Sequence, residues 1–464
     1  MNIMVVGLGY VGLVVAAGLA HTGHRVIGVD IDQVKIRGLQ NDSKDITEPG
    51  LSEIIAAERN NTLRFQHVSE IAAITDQIVF ICVGTPTKTD STVDLSQVIT
   101  TINWIKEKAQ TPVTIVMKST VPPGTGKNII QKLLIDSPEK YYYVMNPEFL
   151  REGQALDDWF HPDRTVIGSE RESALKIMYD LYRNLETPIV STDITSAEMI
   201  KYASNAFLAT KISFINKVAQ LCEGVGADVE VVSRGIGLDR RIGPSFLHAG
   251  IGYGGSCFPK DVKALETIFN KKEIHYGLLR AVIDINNKQR QLAVSKLKAT
   301  LGNLDGKKVA VLGLAFKPDT DDVREAPAVD IVKLLCKGGA EVHAYDPLAM
   351  SNAKKQLSTE VKYYLSAMDA LQDTQGAIIV TEWNEFIKLD WVKARAAMKA
   401  PYALIDGRNC LSPELMKKYG FKYYGFGRSN SRVNPILTLL LSVISSGVIA
   451  VTLNYQSLEL LDIL

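Results

Sequence analysis

The chain has 464 residues, enough for two or three domains that each bury their own core. Its 52 Lys and Arg nearly balance 51 Asp and Glu, and no basic stripe interleaved with aromatics appears, so no nucleic-acid partner is expected. The five cysteines form no CxxC pair or disulfide framework, no metal-ligand cluster is recognisable, and the N-terminus enters a strand without a signal peptide. We therefore expect a cytoplasmic protein.

A dinucleotide-binding pattern opens the chain. An apolar run leads into Gly7-x-Gly9-x-x-Gly12, then an apolar-periodic helix and a strand that ends at Asp30. In such a βαβ unit Gly7 permits the turn, Gly9 lets the backbone approach a pyrophosphate, and Gly12 allows close packing. Asp30 would accept hydrogen bonds from ribose hydroxyls, and no arginine follows at once to hold a 2′-phosphate. The pattern favours NAD over NADP; a tight turn without a ligand is the alternative.

Further buried strands follow the opening unit. Continuous apolar runs at 77–84, 113–119, 141–146 and 165–168 are typical of a parallel sheet covered on both faces. Ligands bind outside the carboxyl ends of the strands of such sheets. The loops at 84–87, 119–125 and 146–153 are therefore where polar chemistry is expected.

A long helix is predicted next, because no Gly or Pro occurs from Thr195 to about residue 223. Thr195 and Glu198 have the spacing of a capping box at its start. More helix is expected to about residue 297. The long helix carries an apolar face that indicates a two-fold dimer across it; its members are Ile200, Ala203, Phe207, Ile212, Ile215 and Ala219.

A cysteine lies in the glycine-rich segment 250–261, GIGYGGSCFPKD. Pro259 suits the first helical position, which places Cys257 at the positive end of a helix dipole, where a thiolate is favoured. Asp261 follows one turn later and is either a partner in general-base chemistry or a plain first-turn acid. Cys257 is a candidate nucleophile, whereas Cys82, inside an apolar strand, is typical of a buried small hydrophobe.

A second α/β pattern begins at Lys307, with strand-and-loop units at 307–316, 340–347, 376–386 and 403–409. The phosphate fingerprint after Gly313 is incomplete, so no second dinucleotide is assigned, and this domain is expected to close over the other substrate. Residues 433–458 carry no charge; they are a membrane contact, a packed extension or an oligomer contact.

The predicted fold is α/β, with two Rossmann-like doubly wound parallel-sheet domains joined by a central long-helix dimerisation region. The predicted boundaries are 1–194 for the NAD-binding domain, 195–298 for the helical region with the cysteine, 299–430 for the second sheet domain and 431–464 for the tail.

Several motifs in this order resemble the UDP-glucose/GDP-mannose dehydrogenase family, from residue 1 to about 428. The most specific is RIGPSFLHAGIGYGGSCFPKD at 241–261, reinforced by segments at 83–87, 118–125, 146–153, 201–217, 316–327 and 406–409. The resemblance implies that two NAD⁺ oxidise the C6 alcohol of a nucleotide sugar to a carboxylate, in a homodimer or higher homo-oligomer. The run Phe258-Pro259-Lys260 favours UDP-glucose over GDP-mannose or a UDP-N-acetylhexosamine.

The resemblance also implies roles for individual residues. Cys257 would form a thiohemiacetal and then a thioester; Lys201 and Asn205, which share a helix face, would stabilise oxyanions. Asp261 would share a water with Thr120, and Glu148 would be the base for hydrolysis. Further cofactor contacts are Lys35, Thr85, Thr120, Glu152, Lys260 and Arg324. Further substrate contacts are Phe149, Leu150, Arg241 (in the neighbouring subunit's site), Phe246, Leu247, Tyr253, Gly254, Lys317 and Arg408.

Without the resemblance, non-functional explanations remain open for these side chains. A solvated lysine explains Lys201, a surface pair explains Glu148 and Glu152, and solvated loop charges explain the arginines. Two other classes of protein are also open: a two-electron 3-hydroxyacid dehydrogenase, which does not need Cys257, and a non-catalytic NAD-binding scaffold tethered by the tail.

Overall fold

The computed structural model describes residues 1–41, 48–59, 61–275 and 277–428. The tail at 431–464, with its predicted membrane contact at 433–458, lies outside these residues. Within them, no helix combines the length and the apolar character needed to cross a bilayer.

The first unit is built on an eight-stranded sheet in the order β3-β2-β1-β4-β5-β6-β7-β8. Neighbouring strands run parallel except at the β6–β7 pair. The two central strands β4 and β5 are buried throughout, as their apolar runs predict. The strands are β1 (Asn2–Val6), β2 (Arg25–Asp30), β3 (Leu63–His67), β4 (Ile78–Ile81), β5 (Val113–Met117), β6 (Tyr141–Met145), β7 (Thr165–Gly168) and β8 (Ile189–Thr192).

Helices cover both faces of this sheet. A 3₁₀ turn spans Val68–Glu70 and a π-helical turn spans Gly126–Ile130. The α-helices are α1 (Tyr10–His21), α2 (Gln33–Gln40), α3 (Leu51–Glu58), α4 (Ser96–Lys108), α5 (Gln131–Leu133), α6 (Ala155–Phe160) and α7 (Glu172–Tyr182).

The central unit consists of four helices: α8 (Ile194–Val225), α9 (Val229–Gly237), α10 (Phe258–Lys271) and α11 (Gly277–Leu301). The long helix is confirmed, but the predicted capping box is wrong. Asp193 caps α8 by accepting from Ser196 N at 2.9 Å. Glu198 is fully buried and instead accepts from Gly124 N and Gly126 N at 2.5 and 2.7 Å, which ties α8 to the loop after β5.

The last unit has a six-stranded parallel sheet in the order β11-β10-β9-β12-β13-β14. This order repeats that of the first six strands of the first sheet. Its strands are β9 (Lys308–Leu312), β10 (Glu341–Tyr345), β11 (Lys362–Tyr363), β12 (Gly376–Ile379), β13 (Ala403–Asp406) and β14 (Lys422–Tyr424). Its helices are α12 (Pro327–Lys337), α13 (Met350–Lys354), α14 (Ala367–Leu371), α15 (Asn384–Ile387), α16 (Trp391–Ala397) and α17 (Pro413–Lys418).

The two sheets also share the turn after their first strand. Gly7 has φ +90° and Gly313 has φ +94°, a region that favours glycine. Behind each turn a buried aspartate accepts from the next backbone N–H: Asp30 from Leu8 N and Asp346 from Leu314 N, both at 2.7 Å. The predicted fold class is thus confirmed, and the two halves are alike in turn geometry as well as in strand order.

The predicted domain boundaries at 194/195, 298/299 and 430/431 remain our proposal. The start of α8 at Ile194 and the end of α11 at Leu301 support the first two of them.

Candidate active site

Two cavities meet between the first sheet and the helical unit. The larger, about 950 Å³, runs from Asp30 past the glycine turn to α10. The smaller, about 490 Å³, lies between the loop after β6 and α8. Only four side chains line both in the part of the chain that the structure describes: Lys118, Glu148, Leu150 and Cys257.

The glycine turn fits a dinucleotide as predicted. A Cβ atom at Gly12 would lie 1.8 Å from Gly7 O, so α1 can pack this closely on the turn only without a side chain. A Cβ atom at Gly9 would meet nothing within 4 Å, which leaves the backbone open to the larger cavity. The N-terminus of α1 thus offers backbone N–H groups and a positive dipole to a pyrophosphate.

Asp30 is held ready for a ribose. Its Oδ2 accepts from Leu8 N at 2.7 Å and from Lys35 Nζ at 3.1 Å, and its Oδ1 accepts from Asp32 N at 2.9 Å. Burial raises the pKa of this carboxyl, but the backbone N–H groups and Lys35 outweigh it, and the pKa is lowered overall. The side chain is therefore ionised and can accept from hydroxyls in the larger cavity.

The other predicted cofactor contacts also line the larger cavity: Thr85, Thr120, Glu152, Lys260 and Arg324. Thr85 Oγ1 donates to Thr120 O at 3.0 Å and so joins two strand-end loops. Burial, aided by the nearby charge of Asp322, raises the pKa of Glu152 to about 7, and Arg324 Nη2 lies 3.6 Å from its Oε1.

Cys257 stands at the junction of the cavities and caps the N-terminus of α10, with Pro259 in the first turn. Burial is the main reason why the pKa of its thiol is raised; the charge of Glu148 adds to this and that of Lys201 opposes it. The raised pKa runs against the predicted thiolate at this helix N-terminus, because burial and the charge of Glu148 outweigh the charge of Lys201. A base must take the proton when the sulfur attacks.

Lys201 and Glu148 form a buried ion pair beside this sulfur. Their side chains are 4% and 6% exposed, and Lys201 Nζ lies 2.9 Å from Glu148 Oε1. Burial acts to lower the pKa of Lys201, but Glu148, Cys257 and Asp261 raise it overall, so the lysine is charged. Leu150 N donates to the other oxygen of Glu148 at 2.6 Å. The alternative that these two residues are solvated surface side chains is therefore wrong.

Asp261 joins α8 to α10 rather than facing solvent. It is 1% exposed, accepts from Asn205 Nδ2 at 2.6 Å and contacts Lys260 Nζ at 2.6 Å. It lines neither cavity, whereas Asn205 lines the smaller one and Thr120 lines the larger one. Asp261 does lie in the first turn of α10, as one of the two interpretations has it. Its part in general-base chemistry and the water shared with Thr120 stay predictions.

Several predicted substrate residues lie on the walls of the smaller cavity: Phe149, Leu150, Phe246, Lys201 and Asn205. Others do not reach either cavity: Leu247, Tyr253, Gly254, Lys317, Arg241 and Arg408. Leu247 and Tyr253 are buried in separate apolar clusters behind the wall. Gly254 packs against Glu325 O, and Lys317 Nζ donates to Glu152 O.

The two arginines outside the cavities have other partners. Arg408 donates to Val380 O, Gly252 O and Phe316 O at 2.7, 3.1 and 3.0 Å, so it braces the cysteine loop against the last domain. Arg241 is 88% exposed and pairs with Asp239. Their predicted substrate contacts stay predictions, that of Arg241 in a neighbouring subunit.

Sequence reasoning missed a buried group beneath the site, formed by Lys118, Asn146, Trp159 and Tyr182. The signal was available for two of them, since Lys118 and Asn146 directly follow β5 and β6. Trp159 and Tyr182 come from helices and carry no such signal. Across the described residues, no cluster of His, Cys, Asp and Glu could hold a metal ion.

A dinucleotide turn that opens toward a half-buried cysteine and a buried lysine and glutamate defines an NAD-dependent oxidoreductase. Three family models identify it further: the NAD-binding domain of the UDP-glucose/GDP-mannose dehydrogenase family matches residues 1–186, the central domain matches 195–288, and the UDP-binding domain matches 310–413. The chain belongs to this family.

Individual relatives agree with the family match. The UDP-glucose 6-dehydrogenase TuaD of Bacillus subtilis (strain 168) is 46% identical over 435 residues, 92% of this chain and 93% of its own. The UDP-glucose 6-dehydrogenase of Rhizobium meliloti (strain 1021) is 42% identical, with 92% and 100% covered. The structure is similar to that of a UDP-glucose dehydrogenase from Pyrobaculum islandicum, with TM-score 0.85, 37% identity and coverage of 92% and 98%.

Proposed function

We propose that this chain oxidises the C6 alcohol of UDP-glucose to a carboxylate, giving UDP-glucuronate. The substrate follows from the 46% identical relative named as a UDP-glucose 6-dehydrogenase. The balanced conversion takes one alcohol, two NAD⁺ and one water to one carboxylate, two NADH and three protons. The same reaction on GDP-mannose or a UDP-N-acetylhexosamine is the second candidate; a solved UDP-D-ManNAc dehydrogenase from Pyrococcus horikoshii is 28% identical.

The observation that carries this proposal is the position of Cys257 where the two cavities meet. Bound NAD⁺ supplies the hydride acceptor for each oxidation. After the first oxidation the Cys257 sulfur adds to the aldehyde carbon, which keeps the half-oxidised sugar in place as a thiohemiacetal. Loss of a second hydride gives a thioester, and water cleaves its C–S bond to release the acid and the thiol.

The side chains around the sulfur are suited to these steps. Lys201, charged and buried, and the amide of Asn205 face the smaller cavity, where they can stabilise the alkoxide and the tetrahedral oxyanions. Glu148 can take the proton from the hydrolytic water. Its ion pair with Lys201 keeps the two opposite charges together in the buried site. Asp261 acts through Asn205 and Lys260 as a positioning residue.

The stoichiometry of cofactor reduction tests the proposal. With limiting UDP-glucose and excess NAD⁺, absorbance should report two NADH for each sugar nucleotide consumed, because the cysteine retains the aldehyde until the second oxidation. GDP-mannose and UDP-N-acetylhexosamines serve as parallel substrates. One NADH per sugar would contradict the four-electron reaction, and faster turnover of another sugar nucleotide would reassign the substrate.

We also propose that the chain forms a two-fold homodimer through α8. The predicted apolar face is wrong in part, because Ile215 and Ala219 are buried in the core of this chain. The exposed apolar row of α8 recurs every seven residues instead, at Phe207, Phe214 and Leu221, which are 65%, 56% and 65% exposed. Such a row on one face of a long helix is suited to packing against a second copy of itself. Phe207 also lines the smaller cavity, so a partner would complete its wall.

The double substitution Phe214→Glu and Leu221→Glu should shift the molar mass in solution from dimer to monomer, because it places charges in the apolar contact. Light scattering after size-exclusion chromatography measures this. Leu365→Glu, at an 88% exposed leucine of the last domain, is the matched control and should leave the dimer intact. A monomeric unmodified chain, or a double variant that stays dimeric, would reject this interface.

A further inference from the structure

Lys118 is the one polar side chain at the junction of the cavities that the mechanism above does not use. It directly follows β5, is 6% exposed, and lines both cavities with Glu148, Leu150 and Cys257. In the proposed mechanism Cys257 bonds to the reacting carbon and Glu148 activates the water that attacks it. Because Lys118 lines the same junction, it lies next to the place where the hydride passes from the sugar to the cofactor in that mechanism.

The ammonium group of Lys118 is held by neutral partners. Its Nζ donates to Asn146 Oδ1 at 2.9 Å and lies 5.7 and 6.0 Å from the ring centres of Trp159 and Tyr182. Asn146 is itself fixed, since Tyr182 OH donates to the same Oδ1 at 2.6 Å and Asn146 Nδ2 donates to Val166 O at 2.7 Å. The position of the amine is thus set by a rigid, uncharged frame.

In the part of the chain that the structure describes, the Lys118 ammonium contacts the Asn146 amide oxygen and the rings of Trp159 and Tyr182, and it forms no ion pair with a carboxylate. Burial lowers the pKa of Lys118 to about 8, with Cys82 and Glu148 opposing that change and Lys201 adding to it. The amine is therefore mostly protonated at neutral pH. A buried positive charge without a paired carboxylate is costly for folding, which indicates a role in function.

The hydride acceptor must lie at this junction. Asp30 and Lys35 hold the ribose at one end of the larger cavity, and Cys257, which would hold the sugar carbon, lies at the other. The nicotinamide end of the cofactor therefore extends toward Cys257 and Lys118. Hydride transfer brings two electrons and one proton to this ring and changes its charge from +1 to zero.

We propose that Lys118 favours both hydride transfers by its charge, because a fixed ammonium repels the cationic oxidised nicotinamide and not the neutral reduced one. The charge therefore lowers the affinity for NAD⁺ relative to that for NADH. For two charges under about 10 Å apart in a partly buried site, the difference corresponds to a roughly tenfold change in the ratio of dissociation constants. The inference rests on the proposed function in one respect: NAD⁺ accepts its hydride from a sugar carbon that lies beside Cys257.

The test compares dissociation constants of NAD⁺ and NADH for the full chain without any sugar, by nucleotide and protein fluorescence. Lys118→Met should lower the ratio of the NAD⁺ constant to the NADH constant about tenfold. Asn146→Asp is the second variant: a carboxylate beside the ammonium should neutralise its field and change the ratio in the same direction. If Lys118→Met does not fold, the ratio measured for Asn146→Asp tests the inference instead.

Two controls separate charge from structure. Lys118→Arg keeps the charge and should keep the ratio. Tyr182→Phe removes a hydrogen bond to the same Asn146 oxygen without a change of charge, and should leave the ratio unchanged whatever it does to stability. An unchanged ratio in Lys118→Met or, failing its folding, in Asn146→Asp overturns the inference. Because no sugar is present, that result leaves the oxidation of UDP-glucose untouched.

Discussion

Replacing Cys257 with alanine should abolish the formation of acid while leaving the affinity for NAD⁺ unchanged. Without the sulfur no thiohemiacetal forms, so the aldehyde is not held for the second oxidation. We expect acid production to fall by roughly 10³-fold or more, as when other enzymes lose a nucleophile. Gly7 and Gly9 line the larger cavity from a separate loop that the substitution does not change, so the cofactor site should be preserved.

Mass spectrometry of the product and fluorescence titration of NAD⁺ measure the two halves of this prediction. Cys336→Ala is the matched control, because Cys336 is a half-buried thiol of the last domain that lines neither cavity. It should turn over normally. In the unmodified chain, a single equivalent of NAD⁺ should leave a sugar adduct on Cys257. Two NADH per sugar from Cys257→Ala at an undiminished rate would refute the covalent mechanism.

Replacing Lys201 with methionine should damage both turnover and stability. The positive charge that stabilises developing oxyanions is lost, which should lower kcat by roughly 10²–10³-fold. The same change leaves Glu148, 6% exposed, without its partner. Breaking a buried pair in this way costs about 3–5 kcal/mol of the free energy of unfolding.

A second substitution separates these two effects. In Lys201→Met combined with Glu148→Gln no lone charge remains, so the midpoint of thermal unfolding should recover while turnover does not. Lys393→Met, at a 78% exposed lysine of α16 that pairs with Asp390 at 3.2 Å, is the control and should change neither quantity. Equal turnover of Lys201→Met and Lys393→Met would exclude a catalytic role for Lys201.

The cofactor end of the site was predictable because its chemistry is local. The glycines at 7, 9 and 12 and the acid at 30 lie within one βαβ unit, and each has the geometry that its position in the pattern requires. The long helix was predictable for a related reason, since no Gly or Pro interrupts it. Its cap was not, because Asp193 competes with Thr195 for the same N–H groups and Glu198 is drawn to the loop at 124–126.

The sulfur shows where local reasoning fails. Position at a helix N-terminus predicts a lowered pKa for Cys257, yet burial raises it, since desolvation depends on what the rest of the chain packs around the thiol. Arg408 shows the same dependence on the rest of the chain: its guanidinium donates to three backbone carbonyls from separate segments, which its motif alone does not indicate, and its substrate contact stays a prediction.

The amino-acid sequence by itself determined the class of fold, the dinucleotide turn and the family, and it singled out Cys257 as the candidate nucleophile, because periodicity, glycine spacing and motif order are properties of short segments. Only the tertiary structure decided which side chains line both cavities: Lys118, Glu148, Leu150 and Cys257. The first follows β5, the next two follow β6, and Cys257 precedes α10, so these residues are far apart in the sequence. Their electrostatics depend on distance and burial, and neither quantity exists until the chain has folded.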